Sequence, residues 1–376
     1  MLSVLPETTV AGPESALPEH LRRRVLDEWA TGVELSDVVA VAGLLRRGRA
    51  VPVIRPAVHC GARRIDYGEL FDRVDVTGPA VRTDENDAIG VCVRMLAALG
   101  VHGGASIRLG GTGDGVRLSA AAVAAAVADR RAVAVERRWS PVDPALGSAD
   151  VRLVVAPPNS THALVELLAA VADGATLVVP TAAQRDDPAA LAALIGALSV
   201  THVVAAPATL LRLGGKTALP GEESSRIPDR TSPRLPSVRR WDVVGNACPP
   251  GLSDWLLTLS PDALTSFAYA PPEYAGALAR GPLDGTGRVR PIPGARLLVL
   301  DEYRRPVPPD VVGELWAGGA ALAEDERAQG VSSRVVADPY PVDGTGGRLV
   351  RTGARARWNS EGWLVIETEP GALSRG

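Results

Sequence analysis

The chain has 376 residues, 46% of them hydrophobic, with 40 basic and 43 acidic side chains and a formal net charge of -3. That length can bury a substantial core, as one large or two to three smaller folding units. The near balance of charge excludes a dedicated nucleic-acid surface and a tail of like charge.

Cys60, Cys92 and Cys248 are far apart and make no metal-ligand spacing, which points to a reduced intracellular setting rather than a disulfide framework. There is no signal-type N-terminus and no apolar run of about 18 residues, so the expected location is the cytoplasm. The basic residues are almost all arginine; Lys216 is the single lysine, in a polar loop.

In chain order, residues 1–18 read as an exposed lead-in rich in Pro, Thr, Ser and Glu. The spacing of Leu21, Val25, Leu26 and Trp29 predicts a short amphipathic helix over His20–Trp29. Another helix begins in Ile65–Val74, with Asp66 as its cap and Glu69 three places on. Asp84–Ala88 is a polar break before a helix over Val91–Leu99. The stretch L-G-G-T-G-D-G-V, Leu109–Val116, then lies between a strand-like run, Ala105–Arg108, and an Ala-rich helix, Ser119–Val127. Gly110, Gly111, Thr112 and Gly113 give the backbone freedom to wrap N–H groups round a phosphate. The loop has no lysine, and the bland alternative is a plain strand-to-helix turn.

Strands over 151–156, 175–180 and 201–207 alternate with helices over Thr161–Ala172 and Asp187–Leu198. Such units predict a largely parallel sheet covered on both faces, with ligands beyond the strand C-termini. A polar connection over 215–236 precedes a strand at 238–245. After Pro282 short strands at 295–301, 313–319, 348–353 and 363–368 predict a β-rich subdomain. Tryptophans 29, 241, 255, 316, 358 and 363 read as packing residues, Glu166 and Glu273 as helix-end or surface acids, and Ser119 and Ser160 as hydroxyls without a histidine to activate them.

The segment I-P-G-A-R-L-L-V-L-D-E-Y-R-R-P-V-P-P-D-V-V-G-E-L-W-A-G-G, Ile292–Gly319, resembles nonribosomal peptide synthetase adenylation domains, in which a strand ending in Leu-Asp leads through a Pro-rich turn to Gly-Glu-Leu. V-V-A-D-P-Y (335–340), R-T-G-A-R-A-R-W (351–358), I-D-Y-G-E-L (65–70) and the linker-like V-L-D-E-W (25–29) extend the resemblance over about residues 20–368. It implies an α/β fold, the N-terminal core of an adenylate-forming enzyme, with mostly parallel sheets flanked by helices, a small β-rich subdomain and no C-terminal subdomain. Residues 1–36 would then be a lead-in from a preceding condensation-type domain and 37–150 a shortened first α/β part. Residues 151–281 would be the second part and 282–376 the β-rich subdomain, ending before the hinge.

Such domains activate an amino or aryl acid with ATP and Mg²⁺ as an acyl-adenylate and load it onto a carrier-protein thiol. The resemblance assigns a vestigial nucleotide site to Gly110, Gly111, Thr112, Gly113, Tyr269, Glu273 and Thr352, with degenerate positions at Thr161 and Ala354. The family's phosphate-loop lysine is missing, Thr161 stands where an aspartate pairs with the substrate ammonium, and Ala354 stands where an aspartate holds the ribose. The chain is therefore expected to have no catalytic residues, to bind neither ATP nor a metal, and to serve as a spacer or docking platform for neighbouring condensation or cyclisation and carrier domains. The alternative is a residual adenylation or acyl-binding enzyme completed by a partner in trans. A small accessory protein near V-A-D-P-Y is a further expected partner; nucleic acid and membrane are not.

Overall fold

The computed structural model describes residues 17–32, 38–77, 87–100, 106–109, 116–135, 150–213, 234–271, 274–324, 335–342 and 347–367. Helix α1 (Glu19–Arg23) runs on into a wider π turn at Arg24–Glu28, and α2 (Val41–Arg49) follows. Next come the antiparallel pair β1 (Pro56–Cys60) and β2 (Arg63–Asp66), then α3 (Tyr67–Val76) and α4 (Ala88–Gly100). A second antiparallel pair, β3 (Ser106–Leu109) and β4 (Val116–Ser119), leads into α5 (Ala120–Val135). The alternating part comprises β5 (Val151–Val155), α6 (Thr161–Asp173), β6 (Thr176–Val178), α7 (Ala182–Asp186), α8 (Pro188–Ala197), β7 (His202–Ala205), α9 (Pro207–Arg212), β8 (Arg240–Gly245), α10 (Leu252–Leu259) and β9 (Leu264–Tyr269). The remaining strands are β10 (Ala279–Gly281), β11 (Arg288–Pro291), β12 (Ala295–Leu300), β13 (Gly313–Gly319), β14 (Val335–Ala337), β15 (Arg348–Trp358) and β16 (Leu364–Ile366).

Local chemistry sets the helix starts. The Asp66 carboxylate accepts a hydrogen bond from the Glu69 N–H at 2.8 Å and caps α3, as the sequence predicts. Ser160 caps α6 by accepting from Ala163, and the helix ends on Gly174 in the left-handed conformation. Thr181 and Gln184 form a reciprocal capping box that defines α7, a helix too short and too polar to be found by periodicity.

Strands β9, β8, β7, β5, β6 and β1 lie side by side in parallel, with β5 between β6 and β7. Their buried apolar runs, such as Leu153, Val154 and Val155, are those expected of a sheet covered on both faces. Beyond β9 the pairing turns antiparallel. β11 bonds to β10 on one side and β16 on the other, so the sheet continues through β16, β15 and β13 to β12. One expectation changes in detail, since β15 runs to Trp358, past the expected end at 353; Ser119 both closes strand β4 and opens α5 by accepting from the Ala122 N–H.

The lead-in is built into this sheet. Val25 and Leu26 are buried, the Gly32 N–H donates to the Ala295 carbonyl at 3.0 Å, and the Leu297 N–H donates to Ala30 at 2.7 Å. These bonds cover the free edge of β12, which would otherwise present unpaired backbone groups. The Trp29 and Trp358 rings meet at 6.0 Å and 45°, and Trp241, Trp255, Trp316 and Trp358 are core residues.

Candidate functional site

The segment that follows β13 links two stretches that flank positions assigned to a nucleotide site. Just beyond Gly319, the Ala321 carbonyl accepts from the Ala275 N–H at 2.9 Å and Leu322 bridges Tyr274. The Glu324 N–H donates to the Arg117 carbonyl of β4 at 2.8 Å. One segment thus joins the strand that follows the glycine loop to the residue that follows Glu273. Gly110, Gly111, Thr112, Gly113 and Glu273 themselves lie outside the described residues, as does Lys216. The loop is flanked by β3 and β4, paired from Ser106↔Ser119 to Leu109↔Val116, so a strand separates it from α5 where a direct turn into helix was expected.

Tyr269 ends β9 and is buried, and its carbonyl accepts from Leu278 at 2.8 Å. Thr352 and Ala354 lie on β15 in a bulge: Glu314 pairs with Arg355 and Trp316 with Arg351, leaving Leu315 opposite three residues. Gly353 makes this possible with φ of 77°, a left-handed conformation that side chains resist. The Thr352 hydroxyl donates to the Leu315 carbonyl at 2.8 Å and accepts from the Ala354 N–H at 3.2 Å. The Ala354 methyl packs against the hydrophobic core. The R-T-G turn carries no carboxylate at position 354.

Thr161 is the first residue of α6 and is buried. One residue and one turn further on, His162, Val165 and Glu166 line a cavity of about 20 Å³. Its sheet side follows from register. Val204 of β7 pairs with Asp242 of β8, Asp242 with Ser266 of β9, and Val244 with Ala268, which places Val204, Asp242, Val244 and Ala268 along one face. Helix α5 contributes Ala126 and Arg130, and the chain after β9 contributes Gly276, Ala277 and Arg280.

The cavity holds a cluster of buried charges. Arg130 is paired through Nε with the Glu166 carboxylate and through Nη2 with Asp242 at 3.2 Å, and all three side chains are almost fully buried. Asp242 also accepts from Arg240 Nε at 2.7 Å and Ser266 Oγ at 2.5 Å, while Arg280 donates to Asp129 at 2.9 Å. Burial alone would raise the Asp242 pKa, but the adjacent Arg130 and Arg240 guanidinium groups outweigh it and hold the carboxyl well below the usual range. Burial lowers the pKa of His162, Glu166 opposes this and Arg280 adds to it, so the ring is biased toward neutral.

This cluster corrects the reading of Glu166 as a helix-end or surface acid: it lies mid-helix and buried because Arg130 on α5 neutralises it. Sequence reasoning did not find Arg130, Arg240, Asp242 or Arg280. The available signal was an aspartate within the apolar strand R-W-D-V-V, where a charge must be paired if the strand is buried. Ser119 and Ser160 act as hydrogen-bond acceptors for Ala122 and Ala163 at helix starts. Among the described residues no group of three or more His, Cys, Asp or Glu is arranged to hold a metal, and no helix is long and apolar enough to cross a membrane.

The family described as AMP-binding enzyme matches residues 110–325. Novobiocin biosynthesis protein H of Streptomyces niveus is 35% identical over 222 residues, 57% of this chain and 33% of its own length. The chain therefore spans about a third of that relative. Among solved structures, the nonribosomal peptide synthetase FmoA3 shares the fold with a TM-score of 0.73 and 19% identity, over 94% of this chain and 45% of its own. The N-terminal subdomain of NpsA from Klebsiella oxytoca, in complex with 3-hydroxyanthranilyl-AMSN, matches with a TM-score of 0.63 and 17% identity over 89% of this chain and 99% of its own. With the family match covering more than half its length, the chain belongs to the AMP-binding enzyme family, and it has the fold of nonribosomal peptide synthetase adenylation domains.

Proposed function

We propose that this domain is a catalytically inactive adenylation domain that serves as a structural spacer or docking platform between neighbouring condensation or cyclisation and carrier domains of a synthetase. The observation that carries the reading is at β15, where Ala354 presents a methyl group and the Thr352 hydroxyl is committed to backbone groups. A ribose placed there as in the parent family would lose its charged acceptor, and a hydrogen bond to a charged group contributes about 1.5–3 kcal/mol. Thr161, at the start of α6, similarly brings no charge to a substrate ammonium. Ala354 and Thr161 thus lack the charged acceptors with which the parent family holds the ribose of ATP and the substrate ammonium.

The docked lead-in supports the platform role. Leu26 of the linker-like V-L-D-E-W is buried, and its carbonyl accepts from Arg296 Nη1 at 3.0 Å. A linker fixed in this way transmits the position of whatever it joins to the β-rich part of the sheet.

A second reading, residual adenylation completed in trans, is favoured by the intact backbone frame that joins β4, Tyr274 and Ala321. ATP–pyrophosphate exchange with a panel of amino and aryl acids, alone and with partner domains, separates the two. The inactive reading expects no acid-dependent exchange under either condition; exchange that appears with a partner supports the second. For the platform role, replacing the domain by a flexible linker in the full assembly should abolish or sharply reduce product formation, and unchanged output would overturn it.

A further inference from the structure

The β1–β2 hairpin lies at the opposite end of the sheet from β13 and β12, and two of the cysteines meet where it packs on α4. Cys60 is the last residue of β1 and its register partner is Arg63, so both share the face that holds the buried Val58 and Ile65. That face looks toward α4. Arg63 Nη1 donates to Asp87 Oδ1 at 2.9 Å, and the Asp87 carbonyl accepts from the Val91 N–H at 2.9 Å as the helix opens. Cys92 comes next after Val91 and belongs to the core against which Cys60 packs. Both thiols are free.

The electrostatics agree with this placement. Burial, and then the charges of Cys60 and Asp87, push the Cys92 thiol up to about 12. Burial and Asp87 also raise Cys60, while Arg63 and Arg185 act the other way and favour its thiolate. Cys60 is half-buried beside the hairpin turn, and Cys92 is sealed inside. The polar tie between hairpin and helix, Arg63 to Asp87, is a partly exposed ion pair of a kind that contributes little.

We propose that Cys60 and Cys92 are a redox pair whose oxidation by a peroxide ties the β1–β2 hairpin covalently to α4. The Cys60 thiolate attacks one oxygen of hydrogen peroxide, the O–O bond breaks, and the hydroxide that leaves takes up the thiol proton as water. The Cys92 sulfur then attacks the sulfenic sulfur of Cys60. An S–S bond forms, the S–O bond breaks, and the hydroxyl departs with the Cys92 proton as a second water. The two thiols lose two electrons and the peroxide gains them. The inference rests on the cysteine pair alone and holds whether or not the domain adenylates.

Peptide mapping of the full chain tests it. After treatment of the folded chain with hydrogen peroxide, then unfolding and alkylation of the remaining thiols, proteolysis should release a peptide pair joining Cys60 to Cys92 that dithiothreitol separates. Cys248 should be recovered alkylated. The oxidised chain should unfold at a temperature higher by at least about 2 °C, since the link closes a loop in the unfolded chain, and dithiothreitol should reverse the rise. In Cys60→Ser, Cys92 should stay reduced under the same treatment, because the peroxide meets Cys60 first. Cys60 advancing to the sulfinate while Cys92 is recovered alkylated, a link between two chains, or a linked chain whose midpoint does not rise would each overturn the proposal.

Discussion

Arg152 Nη2 lies 2.8 Å from Asp173 Oδ2, an ion pair buried between β5 and the end of α6, and Arg131 reaches the other carboxylate oxygen at 2.7 Å. Burial would raise the Asp173 pKa, but the two guanidinium groups together outweigh it and lower the value below the ordinary 3.8. A carboxylate with a depressed folded pKa contributes stability that is fully present above its unfolded value and lost as pH falls through the folded one. Acid unfolding should therefore steepen below about pH 4. Asp173→Asn should cost about 3–5 kcal/mol at neutral pH by leaving buried arginine charge uncompensated. Urea unfolding measured across pH checks both.

His202, at the start of β7, should produce an earlier limb. Burial lowers its pKa from 6.5 to about 4, with Asp150 opposing and Arg152 and Arg130 adding to the effect. The unfolded chain then binds a proton that the folded chain refuses, so stability is full above pH 6.5 and declines toward about pH 4. His202→Gln should flatten the profile in that window and leave the lower limb in place.

The cap on α3 is a local and separable contribution. Asp66→Ala removes the acceptor for the Glu69 N–H and should cost about 1 kcal/mol, while Asp66→Asn should cost less. Denaturant midpoints at constant m-value would show it. A loss above about 3 kcal/mol would mean that Asp66 does more than cap.

Two glycines predict opposite kinds of damage. At Gly32 an added Cβ would meet the Ile292 carbonyl oxygen at 1.8 Å, so Gly32→Ala should push the lead-in off β12 and expose it to limited proteolysis. At Gly353 a Cβ would meet nothing within 4 Å, and only the left-handed φ resists it. Gly353→Ala should cost about 1–2 kcal/mol with no change in the proteolytic pattern.

Arg296 joins the lead-in to the β-rich part of the sheet. Its Nε donates to Asp338 at 2.5 Å, and its Nη atoms reach the carbonyls of Leu26 and Tyr340. Arg296→Met should destabilise by about 3–5 kcal/mol because Asp338 stays buried without its partner, and the Met variant should release the lead-in to protease first. Protection equal to wild type would show that apolar packing alone holds it.

Much of the architecture was readable because it is written locally. The Asp66 cap, the Ser160–Thr161 helix start and the apolar run at 151–155 each carry their signal within a few residues. Helices α9 and α10 were missed because one has only six residues and starts at Pro207, and the other opens on Gly251 without a side-chain cap. Strand β4 was missed because its four residues run directly into the Ala-rich helix without a break.

The candidate site was legible only as a set of motifs. Arg130 and Glu166 are 36 positions apart on different helices, and no spacing rule connects them. Their pairing depends on α5 packing against α6 above β8, a tertiary relationship that periodicity does not encode. The bulge at Thr352–Ala354 is a middle case. The R-T-G motif marked the place, while the bond from Thr352 to Leu315 needed the neighbouring strand.

The contact of Trp29 with Trp358 also bears on the order of folding events. It joins residues about 330 apart in sequence, so its formation closes nearly the whole described chain into a loop and carries a large entropic cost until the rest of the sheet is in place. A contact of that kind is expected to form after the rate-limiting step. Weakening it should leave the refolding rate almost unchanged and accelerate unfolding, making this clasp the latch that sets the lifetime of the folded domain.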